Sequence, residues 1–333
     1  MKQACQFIRE SQSILLCGHL RADGDSLGSA IVLARAFRAM GKEVHLIMPD
    51  PPDPRYQFLF ERTQWSLYQG EGSLPEVDLV VVCDCSQLDR LGLMGEEVER
   101  RGSRRMMVDH HPYDPEVHTW HAAVHDTTAA ATGILAFELA QELGAPIDEI
   151  SSEASFVALM TDTGWLKYSN ADARAFQCAA SLVAGGVDAD RVYRMIYQQT
   201  SAATPKGMAV ALATTEYHAD GMIAIGHLTP QNLQASGAEL EETDDVLDIL
   251  RAVQSVEAVA FLSLRGNRVK VSFRSKTWLD VNQVARQCGG GGHQRAAGAT
   301  FAEGVSMEEA LGVIRSYLIK ATKLAPLSGQ AEH

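Results

Sequence analysis

The 333-residue chain reads as an α/β protein: a doubly wound parallel-sheet domain first, a smaller α/β domain after it. Three observations predict this. Short apolar runs alternate with helical patterns through the first half. Several of those runs are apolar throughout, as strands covered on both faces are. Beyond about residue 206 the pattern changes to paired strand-like runs, a glycine run and a last amphipathic helix.

The first strand is SILLCG (13–18), followed by a helical stretch from about Ser26 to Met40 and then EVHLIM (43–48). PDPPDPR (49–55) is too rich in proline to be anything but a loop. DLVVVCD (78–84) precedes a helix-like segment ending near Arg101, and RRMMVDHH (104–111) follows as another strand. Helix-like stretches at 128–143 and 148–160 continue the domain. The expected organisation is a first domain over 1–190, a linker over 191–206 ending in TSAATPKG, a second domain over 207–325 and a tail over 326–333. In the second domain MIAIGHL (222–228), EAVAFLSL (257–264) and RVKVSFRS (268–275) read as strands, with RGN (265–267) as a hairpin turn. MEEALGVIRSYLIKATKL (307–324) has helical periodicity.

Composition narrows the function classes. Hydrophobic residues at 46% are enough for packed cores. No apolar run is long enough to span a bilayer, and the N-terminus lacks the pattern of a secretory signal. The six cysteines (Cys5, Cys17, Cys83, Cys85, Cys178 and Cys288) form no CxxC pair, which fits free thiols in a cytoplasmic, reducing setting. A net charge of −13 argues against a broad basic surface for long duplexes. It leaves room for a short anionic substrate, because local charge can oppose the global sign.

Three apolar strands end in acidic or imidazole groups. GHLRADGDSLGSA (18–30) puts His19, Asp23 and Asp25 after the first strand; Asp84 ends another; Asp109, His110 and His111 end a third. Each has a plainer reading alone: aspartate caps helices well, and Asp84 can simply close a strand. Together they would repel one another at one sheet edge at a large desolvation cost. A pair of divalent cations removes that penalty. Oxygen-rich ligands with some imidazole suit Mn²⁺, with Mg²⁺ or Co²⁺ as alternatives, and the lack of a cysteine set argues against structural zinc. Asp162 in LMTDTG (159–164) joins the same list.

In the second domain, CGGGGHQRAAGA (288–299) reads as a loop in which Gly290, Gly291 and Gly292 let backbone amides approach an anion. His293, Arg295, Arg274 and Ser275 add side-chain donors.

HLRADGD, VVCD, VDHH and MTDTG, in that order, followed by VKVSFRS and GGGGHQRAAG, resemble the DHH phosphoesterase superfamily with a DHH-associated second domain. The resemblance covers nearly the whole chain and is closest to the stand-alone nanoRNases that also act as 3′-phosphoadenosine 5′-phosphate phosphatases. It implies that His19, Asp23 and Asp84 hold one metal and that Asp25, Asp84, His110 and Asp162 hold the other. It further implies that Asp109 orients a histidine and that His111 contacts the scissile phosphate or the leaving oxygen. Arg274, Ser275, the glycines, His293 and Arg295 would bind the substrate's other phosphate and sugar, with the active site in a cleft between the domains. Short single-stranded RNA or small nucleotides are the implied substrates and a homodimer the implied assembly. An inorganic pyrophosphatase of related first domain and a non-catalytic nucleotide sensor are the alternatives.

Overall fold

The computed structural model describes residues 1–114, 120–243 and 245–323, so the tail expected at 326–333 lies outside the described residues. The chain divides into two compact units that meet at Gln199 and Thr200.

The first unit runs α1 (Lys2–Glu10), β1 (Ser13–Cys17), α2 (Gly24–Ala39), β2 (Glu43–Met48), β3 (Ser66–Leu67), β4 (Leu79–Cys83), α3 (Leu93–Arg101), β5 (Arg104–Asp109), β6 (Ala122–His125), α4 (Thr132–Leu143), α5 (Glu149–Asp162), α6 (Ala173–Ala184) and α7 (Ala189–Tyr197). Its six strands lie in the order β3-β2-β1-β4-β5-β6, and every pair is parallel. The chain winds outward from β1 through β2 to β3, returns to lay β4 beside β1, and winds outward on the other side. That reversal opens a crevice at the carboxyl ends of β1 and β4, where open α/β sheets bind their ligands.

Strand alternation explains why both sheet faces are apolar. Ile14, Leu16, Val81, Cys83, Met106 and Val108 enter the core shared with α2, α4 and α5. Leu15, Cys17, Val80 and Val82 turn the other way, toward Met94 and Val98 of α3. Helix α2 is buried on almost every side. Its Gly28 lets α5 come close, since a Cβ there would stand 2.3 Å from the Ala154 carbonyl oxygen. Asp148 caps α5 by accepting from the Ser151 amide at 2.9 Å, and its carboxylate also pairs with Arg35.

The second unit runs α8 (Thr204–Ala213), β7 (Glu216–His218), β8 (Ile223–Leu228), α9 (Pro230–Gln234), α10 (Val246–Arg251), β9 (Ala258–Arg265), β10 (Arg268–Ser275), α11 (Val281–Gln287), β11 (Gly291–His293), β12 (Ala296–Thr300) and α12 (Met307–Thr322). Its sheet is mixed, in the order β11-β12-β10-β9-β8-β7, with β8 and β9 the parallel pair. Gly266, at φ +58°, begins the two-residue turn between β9 and β10, as in type II′ hairpins. A reciprocal cap between Ser306 and Glu309 starts α12.

Two expectations need correction. The stretch 191–206 is no continuous linker: it takes in most of α7 and the start of α8. The helical periodicity there belongs to real helices, with only a short break at the boundary of the units. The glycine run is not a free loop either, because Gly291 and Gly292 belong to β11 and pair with β12. No helix among the described residues is long and apolar enough to cross a membrane.

Candidate metal centre and nucleotide corner

The acidic and imidazole residues of the first unit converge at the carboxyl ends of β1, β4 and β5. Asp84 is the hub. It follows β4 with φ +59°, a left-handed conformation that aspartate tolerates better than most residues, and its amide donates to the Val108 carbonyl at 2.8 Å. One carboxylate oxygen, Oδ2, stands 3.4 Å from His19 Nε2. The other, Oδ1, stands 3.9 Å from His110 Nε2 and 3.4 Å from His111 Nδ1.

His19 and His110 are oriented in the same manner. His19 Nδ1 donates to the Leu20 carbonyl at 2.8 Å, and His110 Nδ1 donates to the Ala129 carbonyl at 3.0 Å. A carbonyl oxygen only accepts, so Nδ1 carries the hydrogen in both rings. Nε2 is then the atom left facing the carboxylates in both rings, the orientation in which metal-ligating imidazoles are held. His110 Nε2 is buried without a hydrogen-bond partner, 3.8 Å from Asp25 and 3.6 Å from Asp162.

Three further aspartates come from helix ends. Asp23 is the N-cap of α2: its Oδ1 accepts from the amides of Asp25 and Ser26, both at 3.1 Å. The capping and cluster readings of this residue therefore coexist. Asp25 is 1% exposed and caps a foreign helix. Its Oδ2 accepts from the Thr132 amide at 2.7 Å and its Oδ1 from the Gly133 amide at 2.8 Å, the first two residues of α4, which has no side-chain cap of its own. Asp162 is the last residue of α5. His19, Asp23 and Asp84 offer ligand atoms within 4.8 Å of one another, as do Asp25, His110 and Asp162.

Crowding these groups has a cost that shows in their acidities. Burial, reinforced by Asp84, Asp162 and Asp23, drives the Asp25 carboxyl well above the usual range. Burial, partly opposed by His110, pushes Asp162 up to about 6. A divalent cation reverses that balance, because it favours the charged form of every carboxylate around it. The donor set and the idle His110 nitrogen fit such ions.

Asp109 and His111 form a separate pair at the edge of the cluster. Asp109 is fully buried, and its Oδ1 accepts from both the His111 amide at 3.0 Å and the His111 Nδ1 at 2.9 Å. The His111 side chain is 48% exposed. Hydrogen bonding to Asp109 raises its pKa to about 9. With Nδ1 engaged, Nε2 is the atom it can present to a substrate.

In the second unit, the sheet register puts Arg274, Ala296 and His293 in one row across β10, β12 and β11. Alanine between them leaves a basic pair flanking a small residue on one face. Ser275 points to the opposite face, with Phe273 and Val271. It is 2% exposed, and its hydroxyl has no hydrogen-bond partner. Its amide donates to the Arg295 carbonyl at 3.0 Å, and the Arg295 guanidinium donates to the Leu279 carbonyl at 3.3 Å. The glycines allow close backbone contact: a Cβ at Gly290 would stand 2.1 Å from the Gly298 carbonyl oxygen, and Gly292 has φ +147°. Strand β11 is exposed at the sheet edge, so these glycines form an edge strand where a free loop was expected.

The pattern "DHH family, N-terminal domain" fits residues 13–161, and the pattern "DHHA1 domain" fits residues 230–320. A Thermus thermophilus protein named bifunctional oligoribonuclease and PAP phosphatase NrnA is 31% identical over 92% of this chain and 91% of that protein. The Bacillus subtilis protein of the same name is 24% identical over 87% of this chain and 89% of its own length. The crystal structure of an exopolyphosphatase-related protein from Bacteroides fragilis shares the fold, with a TM-score of 0.88, 24% identity and coverage of 97% of this chain and 96% of that one.

The chain belongs to the DHH family. The Asp109-His110-His111 triplet stands in its DHH domain at the end of β5. Within that domain, sequence reasoning missed Thr132, whose hydroxyl donates to Asp84 Oδ1 at 3.0 Å. It missed Asn170, whose amide nitrogen donates to the carbonyls of Ala130 and Asp162, both at 3.1 Å. It also missed His125, whose Nε2 lies 2.8 Å from the His111 carbonyl oxygen. No local motif marks them. The one available signal is the small-residue stretch TTAAATG (127–133), whose threonine opens a helix.

Proposed function

We propose that this DHH-family chain is a metal-dependent phosphoesterase that hydrolyses short oligoribonucleotides and 3′-phosphoadenosine 5′-phosphate to nucleoside monophosphates. The relatives named as bifunctional oligoribonuclease and PAP phosphatase match almost end to end, which supports this reading of the whole chain. The observation that carries it is Asp84, whose two oxygens face His19 on one side and His110 on the other.

In this reading His19, Asp23 and Asp84 hold one divalent ion, and Asp25, Asp84, His110 and Asp162 hold a second, with Mn²⁺ the best match to the donors. Bound there, the ions would stabilise charge on the phosphoryl oxygens and lower the pKa of a coordinated water. The remaining work falls to the chain. Asp109 fixes the His111 ring through Nδ1, so Nε2 is free to donate to a phosphoryl or leaving oxygen. The Thr132 hydroxyl and the α4 amides hold Asp84 and Asp25 in place, so the ligands need not reorganise during reaction. Arg274, Gly290, Gly291, Gly292, His293 and Arg295 bind the nucleotide's other phosphate and sugar, while Ser275, turned to the opposite face, acts only through its amide, which holds the Arg295 carbonyl.

The test is a substrate panel. Purified protein with Mn²⁺ is given a diadenylate, 3′-phosphoadenosine 5′-phosphate and inorganic pyrophosphate. The proposal expects release of adenosine monophosphate from the first two and little phosphate from the third. Turnover of pyrophosphate alone would make the chain a pyrophosphatase instead.

A further inference from the structure

We infer that Asn282 is a substrate-binding residue whose side-chain carbonyl accepts a hydrogen bond from a neutral donor of the bound nucleotide, on either its sugar or its base. This rests on the phosphoesterase reading and adds a specificity determinant to it.

Asn282 lies in the first turn of α11, where its amide donates to Asp280 Oδ1 at 3.0 Å. Its side chain is another matter. Oδ1 is buried yet has no hydrogen-bond partner. Leaving an amide carbonyl buried and unpaired costs about 1–3 kcal/mol, so native chains rarely keep one without a reason. The place it occupies supplies the reason. A Cβ added at Gly291 would lie only 3.8 Å from Asn282 Oδ1, so the atom borders the glycine strand on the sheet edge.

The glycine strand beside it carries His293, which lies in one row with Ala296 and Arg274 across the sheet. The start of α11 is fixed to the reversal after His293, since the Val281 amide donates to the Gln294 carbonyl at 2.9 Å. Cations suited to phosphate therefore stand on the strand that borders a neutral acceptor awaiting a partner. An amide oxygen repels phosphate oxygens and accepts from O–H or N–H. Among the groups of a nucleotide, ribose hydroxyls and base amines offer those hydrogens.

The test compares wild type with Asn282→Leu and Asn282→Ser. A diadenylate, its 2′-deoxy analogue and a diinosinate lacking the exocyclic amine are assayed with Mn²⁺. Because Oδ1 is idle in the free protein, Asn282→Leu is expected to keep or raise the metal-free Tm. Its KM for the diadenylate should rise about three- to tenfold at unchanged kcat, as for one lost neutral hydrogen bond. The analogue lacking the donor that Asn282 receives should have the same KM in wild type and variant, which tells sugar from base. If the leucine variant does not fold, the serine variant is read by the same KM criterion. A wild-type KM in the variants overturns the inference. So does a fall in Tm accompanied by a parallel loss of kcat, the mark of a purely structural amide. Failure of the wild type on all three substrates is a separate result, which removes the phosphoesterase reading and the Asn282 inference with it.

Discussion

The hydroxyl of Thr132 donates to Asp84 Oδ1 at 3.0 Å, with both side chains buried. The same residue's amide donates to Asp25 at 2.7 Å, so the start of α4 holds two of the cluster's carboxylates at once. Thr132→Val keeps the shape and the amide and removes only the hydroxyl. Its Mn²⁺ affinity is expected to fall about 10- to 100-fold, the usual effect of losing a residue that orients a metal ligand. Titration calorimetry, or the Mn²⁺ concentration for half-maximal activity, measures this; an unchanged affinity would remove Thr132 from the account.

Asp84→Asn separates stability from function. Asparagine tolerates the left-handed backbone at this position, and its side-chain oxygen can still accept from Thr132. Removing one of several crowded negative charges should stabilise the metal-free protein by about 0.5–2 kcal/mol. Added Mn²⁺ should then no longer raise the Tm, since ligand stabilisation requires binding to the folded state. Thermal melts with and without the metal check both halves.

His111→Gln should leave metal binding intact and lower kcat by about 10²- to 10⁴-fold, the range for losing a positioned proton donor. The loss should shrink on a substrate with a p-nitrophenolate leaving group, which needs no proton. Equal losses on both substrates would show that His111 does not protonate the leaving oxygen.

The pH dependence of the second unit centres on Glu257. Its carboxylate accepts from the amides of Leu279 at 2.9 Å and Trp278 at 2.7 Å, and from the hydroxyl of Thr277 at 2.6 Å. Burial works against its charge, but these bonds outweigh it and hold the carboxyl below its usual range. A depressed folded-state pKa means the contribution is fully present above the unfolded value of about 4.3 and is lost as pH falls through the folded one. Glu257→Gln should therefore lower the Tm at pH 7 and approach the wild type in acid. A deficit that is constant from pH 7 down to pH 3 would count against the assignment.

Much of the site could be read from the chain because its ligands sit where strands end. An apolar run followed by an acid or imidazole gives both the strand and the direction of its tip, as with Cys83 and Asp84 or Val108 and Asp109. What could not be read comes from chain segments far apart. Nothing near Thr132 signals that Asp25, over a hundred residues earlier, supplies the cap of its helix. The segment Gly164–Leu166 carries three successive left-handed residues, two of them not glycine. Each non-glycine residue there costs roughly 1–2 kcal/mol, so propensity argues against the conformation that tertiary packing imposes. Trp165 supplies that packing through edge contacts with Phe156, Tyr193 and Tyr197. The glycine run misled for a related reason: flexibility that suggests a loop also lets Gly290 and Gly292 press against a neighbouring strand.

The most direct test is to count metal ions. Chelated protein is titrated with Mn²⁺, and the bound ions are located by anomalous diffraction. The account predicts two per chain, flanking Asp84, with hydrolysis abolished by chelator and restored by Mn²⁺. Finding a single ion, or ions remote from His19 and His110, would contradict it.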